Sequence, residues 1–300
     1  MRFSVWPDQQ RPWNEIAALV DYAEQTGWDT AYVYDHFMPF DDNNRDEPVL
    51  ECWTTLTALA ARTTRIRLGT LVLSNTYRHP ALLANMAATL DVISGGRLLL
   101  GIGAGWQQNE HEAYGLDLMQ VGPRLDSFEE ACQVMTSLLR EPRTTFHGDY
   151  YEITDAPCEP KPLQDRLPLL IGGKGEKRML RVVATYADEW NSWTTPELFR
   201  HRSQVLDHHC ADLGRDPASI TRSTQAVLQM SNDHSQLPPV DPTSTTPLIR
   251  GSVQQVADLL AQYHAAGVDE FIVPDDSETA IGAHIDMLEQ LRTEVAVHLQ

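Results

Sequence analysis

RIRLGTLVLSNTYRHPALLANMAATLDVISGGRLLLGIGAGWQQNEHEAYG, residues Arg65 to Gly115, decides the fold. It opens with apolar and β-branched residues from Ile66 to Leu73, interrupted only by Arg67, Gly69 and Thr70. That composition marks a strand buried on both faces. Pro80 then starts a helical pattern where a missing N–H costs nothing. Leu82, Leu83, Met86, Leu90 and Ile93 fall on one helical face, which Gly95–Gly96 closes. A second buried strand, Leu98 to Ile102, runs straight into Gly101, Gly103 and Gly105. The stretch is a βαβ unit with special backbone at the carboxyl ends of its strands, where parallel α/β proteins gather ligands.

The same alternation extends outward in both directions. Phe3–Trp6, Ala31–Tyr34, Leu169–Ile171, Glu189–Trp193, Ser219–Met230 and Phe271–Val273 read as further strands. Between them lie helices that start at Pro12, near Glu51 and near Arg124, then after Gly175, at Pro196, behind the Ser252/Gln255 capping box and near Thr279. Thr144 to Pro162 alternates and contains Pro157, Pro160 and Pro162, the pattern of an excursion with a hairpin. Ser231 to Arg250, rich in Pro, Ser, Thr and Asp, reads as a long loop inserted at one face. No linker divides the chain into two cores. The expectation is one α/β domain over residues 1–300, a (β/α)8 TIM barrel with an insertion at 231–250; a doubly wound sheet is the runner-up.

Composition narrows the function. With 42 acidic and 23 basic residues the formal net charge is -19. That excess argues against nucleic acid or an anionic membrane as partner, while leaving room for a small anion held by local N–H groups. The four cysteines, Cys52, Cys132, Cys158 and Cys210, form no CxxC pair, which fits a reduced, cytoplasmic protein. The start, MRFSVWPDQQ, has no apolar run of a signal peptide, and no window approaches the ~20 apolar residues of a membrane span.

Several motifs are decided by what they lack. GIGAGW at Gly101–Trp106 has Trp106 off the GxGxxG pattern, so the Rossmann reading is weak; its glycines would instead let backbone approach a flat ligand, or simply make a tight turn. His111–Glu112 opens like HExxH, but the sequence continues Ala-Tyr-Gly, so a second zinc ligand is missing and no metal is expected. GxSxG and P-loop motifs are absent. Gly172–Gly173–Lys174–Gly175 lies between a strand and a helix, where free N–H groups, a helix dipole and Lys174 could hold a phosphate. Asp35–His36 stands at a strand end, the usual place for catalytic groups of a barrel, with His36 able to pass a proton and Asp35 to accept a hydrogen bond. His79 and the pair His208–His209 read as surface or packing residues. Trp6, Trp53, Trp106, Trp190 and Trp193 read mostly as core, with Trp106 also placed to wall a pocket.

Together these segments resemble the bacterial luciferase-like superfamily, and more closely its oxidoreductases that use the deazaflavin coenzyme F420. The resemblance rests on YDHF at Tyr34–Phe37, GTLVLSNTYRHPALLA at Gly69–Ala84, ISGGRLLLGIGAGW at Ile93–Trp106, the Asn109–Glu110 pair, PLLIGGKGE at Pro168–Glu176 and GVDEFIVP at Gly267–Pro274. It implies a barrel with an insertion, often dimeric. It further implies that Asp35 and His36 face the deazaflavin ring, with His36 the catalytic proton donor or acceptor. Thr70, Leu71 and Val72 match the third-strand bulge, where members commonly have a non-proline cis peptide against the ring. Gly103, Ala104, Gly105 and Asn109 match the segment along the ring edge and side chain, and Gly172, Gly173 and Lys174 the phosphate-binding turn.

One departure bears on substrate. Members that oxidise sugar phosphates have a glutamate where Trp106 stands, so the resemblance disfavours that chemistry and points to a more hydrophobic or aromatic small molecule walled by Trp106. The expected activity is hydride transfer between coenzyme F420 and a small organic substrate, by a homodimer. The alternatives are a two-component monooxygenase using flavin mononucleotide (FMN) and a non-catalytic flavin or deazaflavin carrier.

Overall fold

Parallel pairing of the expected strands closes a ring. The computed structural model describes residues 1–39, 44–233, 235, 237–240 and 246–299. The first third of the chain runs β1 (Arg2–Trp6), α1 (Trp13–Thr26), β2 (Thr30–Val33), α2 (Cys52–Arg62), β3 (Arg67–Thr70), β4 (Leu73–Ser74), α3 (Pro80–Ser94) and β5 (Leu98–Gly103). Next come α4 (Gln108–Tyr114), α5 (Val121–Arg140) and the hairpin β6 (Thr144–His147) and β7 (Glu152–Ala156). Then follow β8 (Leu169–Gly172), α6 (Met179–Tyr186), β9 (Glu189–Asn191), α7 (Pro196–Asp212), β10 (Thr221–Gln225) and β11 (Val227–Met230). The chain finishes with β12 (Leu248–Gly251), α8 (Val253–Ala265), β13 (Glu270–Pro274) and α9 (Ile281–Gln290). Going round, the neighbours are β1, β2, β3, β5, β8, β9, β10 and β13, and β13 pairs again with β1, all in parallel. This is the closed (β/α)8 barrel expected from the alternation.

Local chemistry explains the helices. α1 buries Ile16, Leu19, Val20 and Ala23 as its spacing requires, and Gly27 ends it with φ 90°. Glu51 caps α2 by accepting from the N–H groups of Trp53 and Thr54, and Ser252 with Gln255 forms the capping box of α8. α3 departs from its reading. Its buried face is Leu83, Ala84, Ala87, Ala88 and Leu90, whereas Leu82 and Ile93 are exposed. The alanines let α3 lie close against α2, α5 and β5, which rotates the larger side chains outward.

Two of the expected strands are divided in the structure. Ile66–Leu73 is interrupted: β3 stops at Thr70, the Leu71–Val72 peptide is cis, and β4 resumes alongside β5. Ser219–Met230 divides at Ala226, where β10 stays in the barrel and β11 leaves it to pair in parallel with β12. The expected loop 231–250 therefore ends in a strand; its residues 234, 236 and 241–245 lie outside the described ones. The Thr144–Pro162 excursion does contain the antiparallel hairpin. Among the described residues no helix is long and apolar enough to cross a membrane.

The barrel interior is layered. At the amino-terminal end Glu270 is buried and accepts from Ser4 Oγ (2.6 Å) and Tyr32 Oη (3.0 Å), with Arg2 at 2.8 Å. Beside it Glu189 meets Arg67 at 3.2 Å. Above this charged plug sits an apolar layer of Tyr32, Leu71, Leu99, Leu170 and Ile272, on which Trp6 and Val72 pack. Strand alternation sends Leu98, Leu100 and Ile102 the other way, into the larger core under the helices.

Candidate active site

The carboxyl ends of the strands bring the expected residues to one mouth. Asp35 and His36 follow β2, Leu71–Val72 lies between β3 and β4, Gly103–Trp106 ends and follows β5, and Gly172–Lys174 ends and follows β8. Asn109 stands in the first turn of α4. Some of these groups are already engaged. Thr70 is fully buried, its hydroxyl donating to Gly101 O (2.7 Å) and accepting from Gly101 N (2.9 Å), so it clasps β3 to β5. Asp35 is buried too, and its carboxylate accepts from Arg78 through both oxygens (2.6 and 2.9 Å) and from Ser74 N (2.9 Å). Arg78 also reaches Glu51 at 3.0 Å. Asp35 thus ties β2 to β4 and to the start of α2.

His36 is partly exposed and has a buried partner that sequence reasoning did not single out. Its Nδ1 lies 2.9 Å from Glu110 Oε2. The same carboxylate accepts from Tyr77 Oη (2.5 Å) and from Phe37 N. Burial alone would push the Glu110 carboxyl pKa up, but the hydrogen bonds from His36, Phe37 and Tyr77 outweigh it and hold the group below the ordinary carboxylate range. Tyr77 is pushed the other way, by burial first and then by its bond to Glu110. An ionised carboxylate only accepts, so Nδ1 of His36 carries a proton and donates it; the neutral ring's lone pair is then on Nε2. A carboxylate behind an imidazole fixes both its orientation and its tautomer, as proton transfer at a defined nitrogen requires.

α4 holds Glu110 in place. His111 is buried, with Nδ1 2.6 Å from Gln107 O and Nε2 2.6 Å from Thr76 Oγ1, which in turn lies 2.6 Å from Ser74 Oγ. The histidine first weighed as a zinc ligand is therefore a fastener between α4 and the loop after β4. Arg78, Tyr77 and Glu110 share one limitation for a sequence reader: they are polar residues whose partners lie far along the chain. The signals available were the YRH of the third-strand motif and the Asn109–Glu110 pair.

The glycines make a bed around Val72. A Cβ on Gly103 would lie 2.8 Å from Val72 Cγ2, and one on Gly172 would lie 3.0 Å from both γ carbons. Bare backbone at these two strand ends lets Val72 sit between them as part of the floor. At the turn after β8 the expected donors are present in part. Gly173 N is used, bonding Asn191 O at 3.0 Å, and α6 begins only at Met179. The N–H groups of Lys174, Gly175 and Glu176, however, meet no protein acceptor among the described residues, and Lys174 is exposed. Arg202 of α7, bonded to Thr194 Oγ1 at 3.0 Å, stands 4.0 Å from Glu176 of the same turn. A flat apolar floor with a cationic, donor-rich turn at its side fits a tricyclic ring that carries a phosphate.

Of the tryptophans read mostly as core, Trp190 is fully buried, whereas Trp106 is 63% and Trp193 36% exposed. Both stand at the mouth rather than in the core.

Proteins similar to this chain in sequence or in fold are known. An F420-dependent glucose-6-phosphate dehydrogenase of Microbacterium testaceum is 31% identical over 225 residues, which cover 74% of this chain and 66% of that protein. It and two further dehydrogenases of the same name are matched over only 47% to 66% of their length. Among solved structures, the coenzyme F420-dependent tetrahydromethanopterin reductase of Methanopyrus kandleri superposes with a TM-score of 0.84 at 20% identity, covering 100% of this chain and 99% of that one. The monooxygenase RslO1 of Streptomyces bottropensis follows at 0.83 and 15% identity, covering 100% of both. Those two likenesses concern the fold. The sequence model of the luciferase-like monooxygenases matches residues 1–238, and with the interrupted third strand and glycine bed in the same barrel, the chain belongs to that family.

Proposed function

We propose that the protein is an oxidoreductase that transfers a hydride between coenzyme F420 and a small organic substrate. The observation that carries this reading is the His36–Glu110 pair at the same barrel end as the Val72 floor, a proton-transfer group of fixed tautomer sharing one mouth with a bed for a flat ring. The names of the dehydrogenase relatives favour the deazaflavin over FMN. When bound, the coenzyme supplies the hydride chemistry. Leu71 and Val72 would carry its ring, Gly103, Ala104, Gly105 and Asn109 its edge, and Gly172, Gly173, Lys174 and the donors of the following turn its phosphate. His36 holds or takes the substrate's proton at Nε2, Glu110 stabilises the imidazolium that forms, and the Asp35–Arg78 pair keeps the loop after β2 in register with β4. The apolar layer below the mouth excludes water from this exchange.

Titration of the purified protein with coenzyme F420 and, separately, with FMN, followed by cofactor fluorescence, tests the reading. Tight binding of F420 alone is expected. Binding of FMN alone would transfer the assignment to a flavin monooxygenase, F420 binding without turnover by the wild type would leave a carrier, and a fully active His36→Ala would remove the proton-transfer role from His36.

Finer parts of the proposal are one domain spanning the chain, a cytoplasmic setting and a homodimer. Staves running from Arg2 to Pro274 support the first, and four buried free cysteines support the second. The apolar row Leu82, Val92 and Ile93 exposed on α3 supports the third; light scattering giving a monomer mass at micromolar concentration would remove it.

A further inference from the structure

Five rings line one side of the mouth. Trp193, following β9, meets Trp6 of β1 edge-on at 5.6 Å between centroids, and Trp6 meets Tyr34 at 6.1 Å. Tyr34 is 5.8 Å from His36, and His36 meets Trp106, following β5, edge-on at 5.6 Å. These residues come from four different staves, so only closure of the barrel assembles them. The glycine bed and the cationic turn belong to the ends of β5 and β8, and the arc meets them at its two ends, through Trp106 after β5 and Trp193 after the neighbouring β9.

We infer that the aromatic side binds the substrate, and that the substrate is a flat, uncharged, ring-containing molecule with a hydrogen-bonding oxygen, not a phosphorylated sugar. The inference deepens the proposed function and rests on it for the place of the coenzyme. Trp106 and Trp193 leave large apolar surfaces in water, and a contiguous patch of this kind with a polar rim is what a ligand covers. Beneath the arc, Trp6 and Val72 lie on the apolar barrel layer, so its floor offers few hydrogen bonds to sugar hydroxyls. Tyr34 cannot supply one readily: its hydroxyl donates to Asp8 Oδ1 at 2.7 Å and accepts from Gln9 N at 3.0 Å. The arc contains no cationic side chain, and the nearby Arg78 is held by Asp35 and Glu51. What it offers besides ring faces is His36, which can bond one oxygen, and the indole N–H groups of its tryptophans, of which the Trp6 one is buried without a partner among the described residues. A site built mostly of ring faces with a few uncharged donors and no cation selects a neutral flat ligand and leaves the phosphate of a sugar phosphate without a counter-charge.

Calorimetric titration with 1-indanone, a neutral bicyclic aromatic ketone, and with glucose 6-phosphate tests this, using the protein with and without saturating coenzyme F420. The ketone should bind, glucose 6-phosphate should give no heat above dilution, and Trp106→Ala and Trp193→Ala should each weaken the ketone about tenfold, the loss of ~1.4 kcal/mol. The same variants should keep wild-type affinity for the coenzyme, measured by its fluorescence. Binding of the sugar phosphate, or binding of neither ligand, overturns the inference, as does ketone affinity unchanged in both variants. Failure of the coenzyme titration would instead remove the proposed function, while the titrations without coenzyme still decide whether the arc takes a neutral ring.

Discussion

A carboxylate as deeply buried as Glu110 persists only where donors satisfy its lone pairs, and here three do so. Glu110→Gln keeps the volume but removes the charge that faces Nδ1 of His36. We expect kcat to fall by about 10- to 100-fold, less than the ~10²- to 10⁴-fold for loss of a general acid–base group itself because His36 remains, with coenzyme affinity retained; steady-state kinetics beside a fluorescence titration measures both. Unchanged kcat would mean that Glu110 only holds the loop together. The pH dependence follows from the direction of the shift. A carboxyl whose folded pKa lies below its unfolded one stabilises the fold above the ordinary carboxylate range, and that contribution is lost as pH falls through the depressed folded value. Urea midpoints compared at neutral and acid pH should therefore drop less in Glu110→Gln than in wild type. Residues at this scale divide sharply in legibility. His36 could be picked out because it sits at a strand end, whereas Glu110 stood out only as part of a motif and its role did not, since its partners His36 and Tyr77 are 74 and 33 residues away.

Elements were legible where one period dominated. The apolar faces of α1 and α8 and the buried runs of β5 and β13 follow their spacing directly. α3 was misjudged because small residues, not large ones, face inward where helices crowd. The third stave was read as continuous because a break at Leu71–Val72 leaves the apolar run unaltered. Packing across staves gives a ranked prediction. A Cβ on Gly101 would fall 1.8 Å from Thr70 O, a backbone atom held in the sheet, whereas on Gly172 it would meet two methyl groups of Val72 at 3.0 Å. Gly101→Ala should therefore destabilise by about 3 kcal/mol or more, and Gly172→Ala by about 1–2 kcal/mol, since overpacking costs least where a side chain can yield. Denaturant unfolding of the two variants checks the order. Equal stability of Gly101→Ala and wild type would show that β3 shifts more freely than its hydrogen bonds indicate.

Across the whole molecule, the barrel was legible from the alternation of strands and helices, while the contents of its interior were not. Arg2, Arg67, Glu189 and Glu270 look like surface charges in sequence, each at the start of a strand, and only ring closure brings them together. Burial, and then the neighbouring charge of Glu270, pushes the Glu189 carboxyl pKa up. A raised folded pKa means that this acid favours the fold below its unfolded pKa, and the benefit is lost as pH rises through the folded value. Glu189→Gln should accordingly be at least as stable as wild type at pH 7.5, measured by thermal unfolding. A marked loss at that pH would show that its bonds to Arg67 and Arg2 outweigh the repulsion. The plug formed by these side chains also bears on the order of events in turnover. With the far end stopped by buried charge, the barrel has one door, so two ligands that share it must queue. Whichever lies farther from the opening enters first and leaves last, and product-inhibition patterns should be those of an ordered rather than a random sequence.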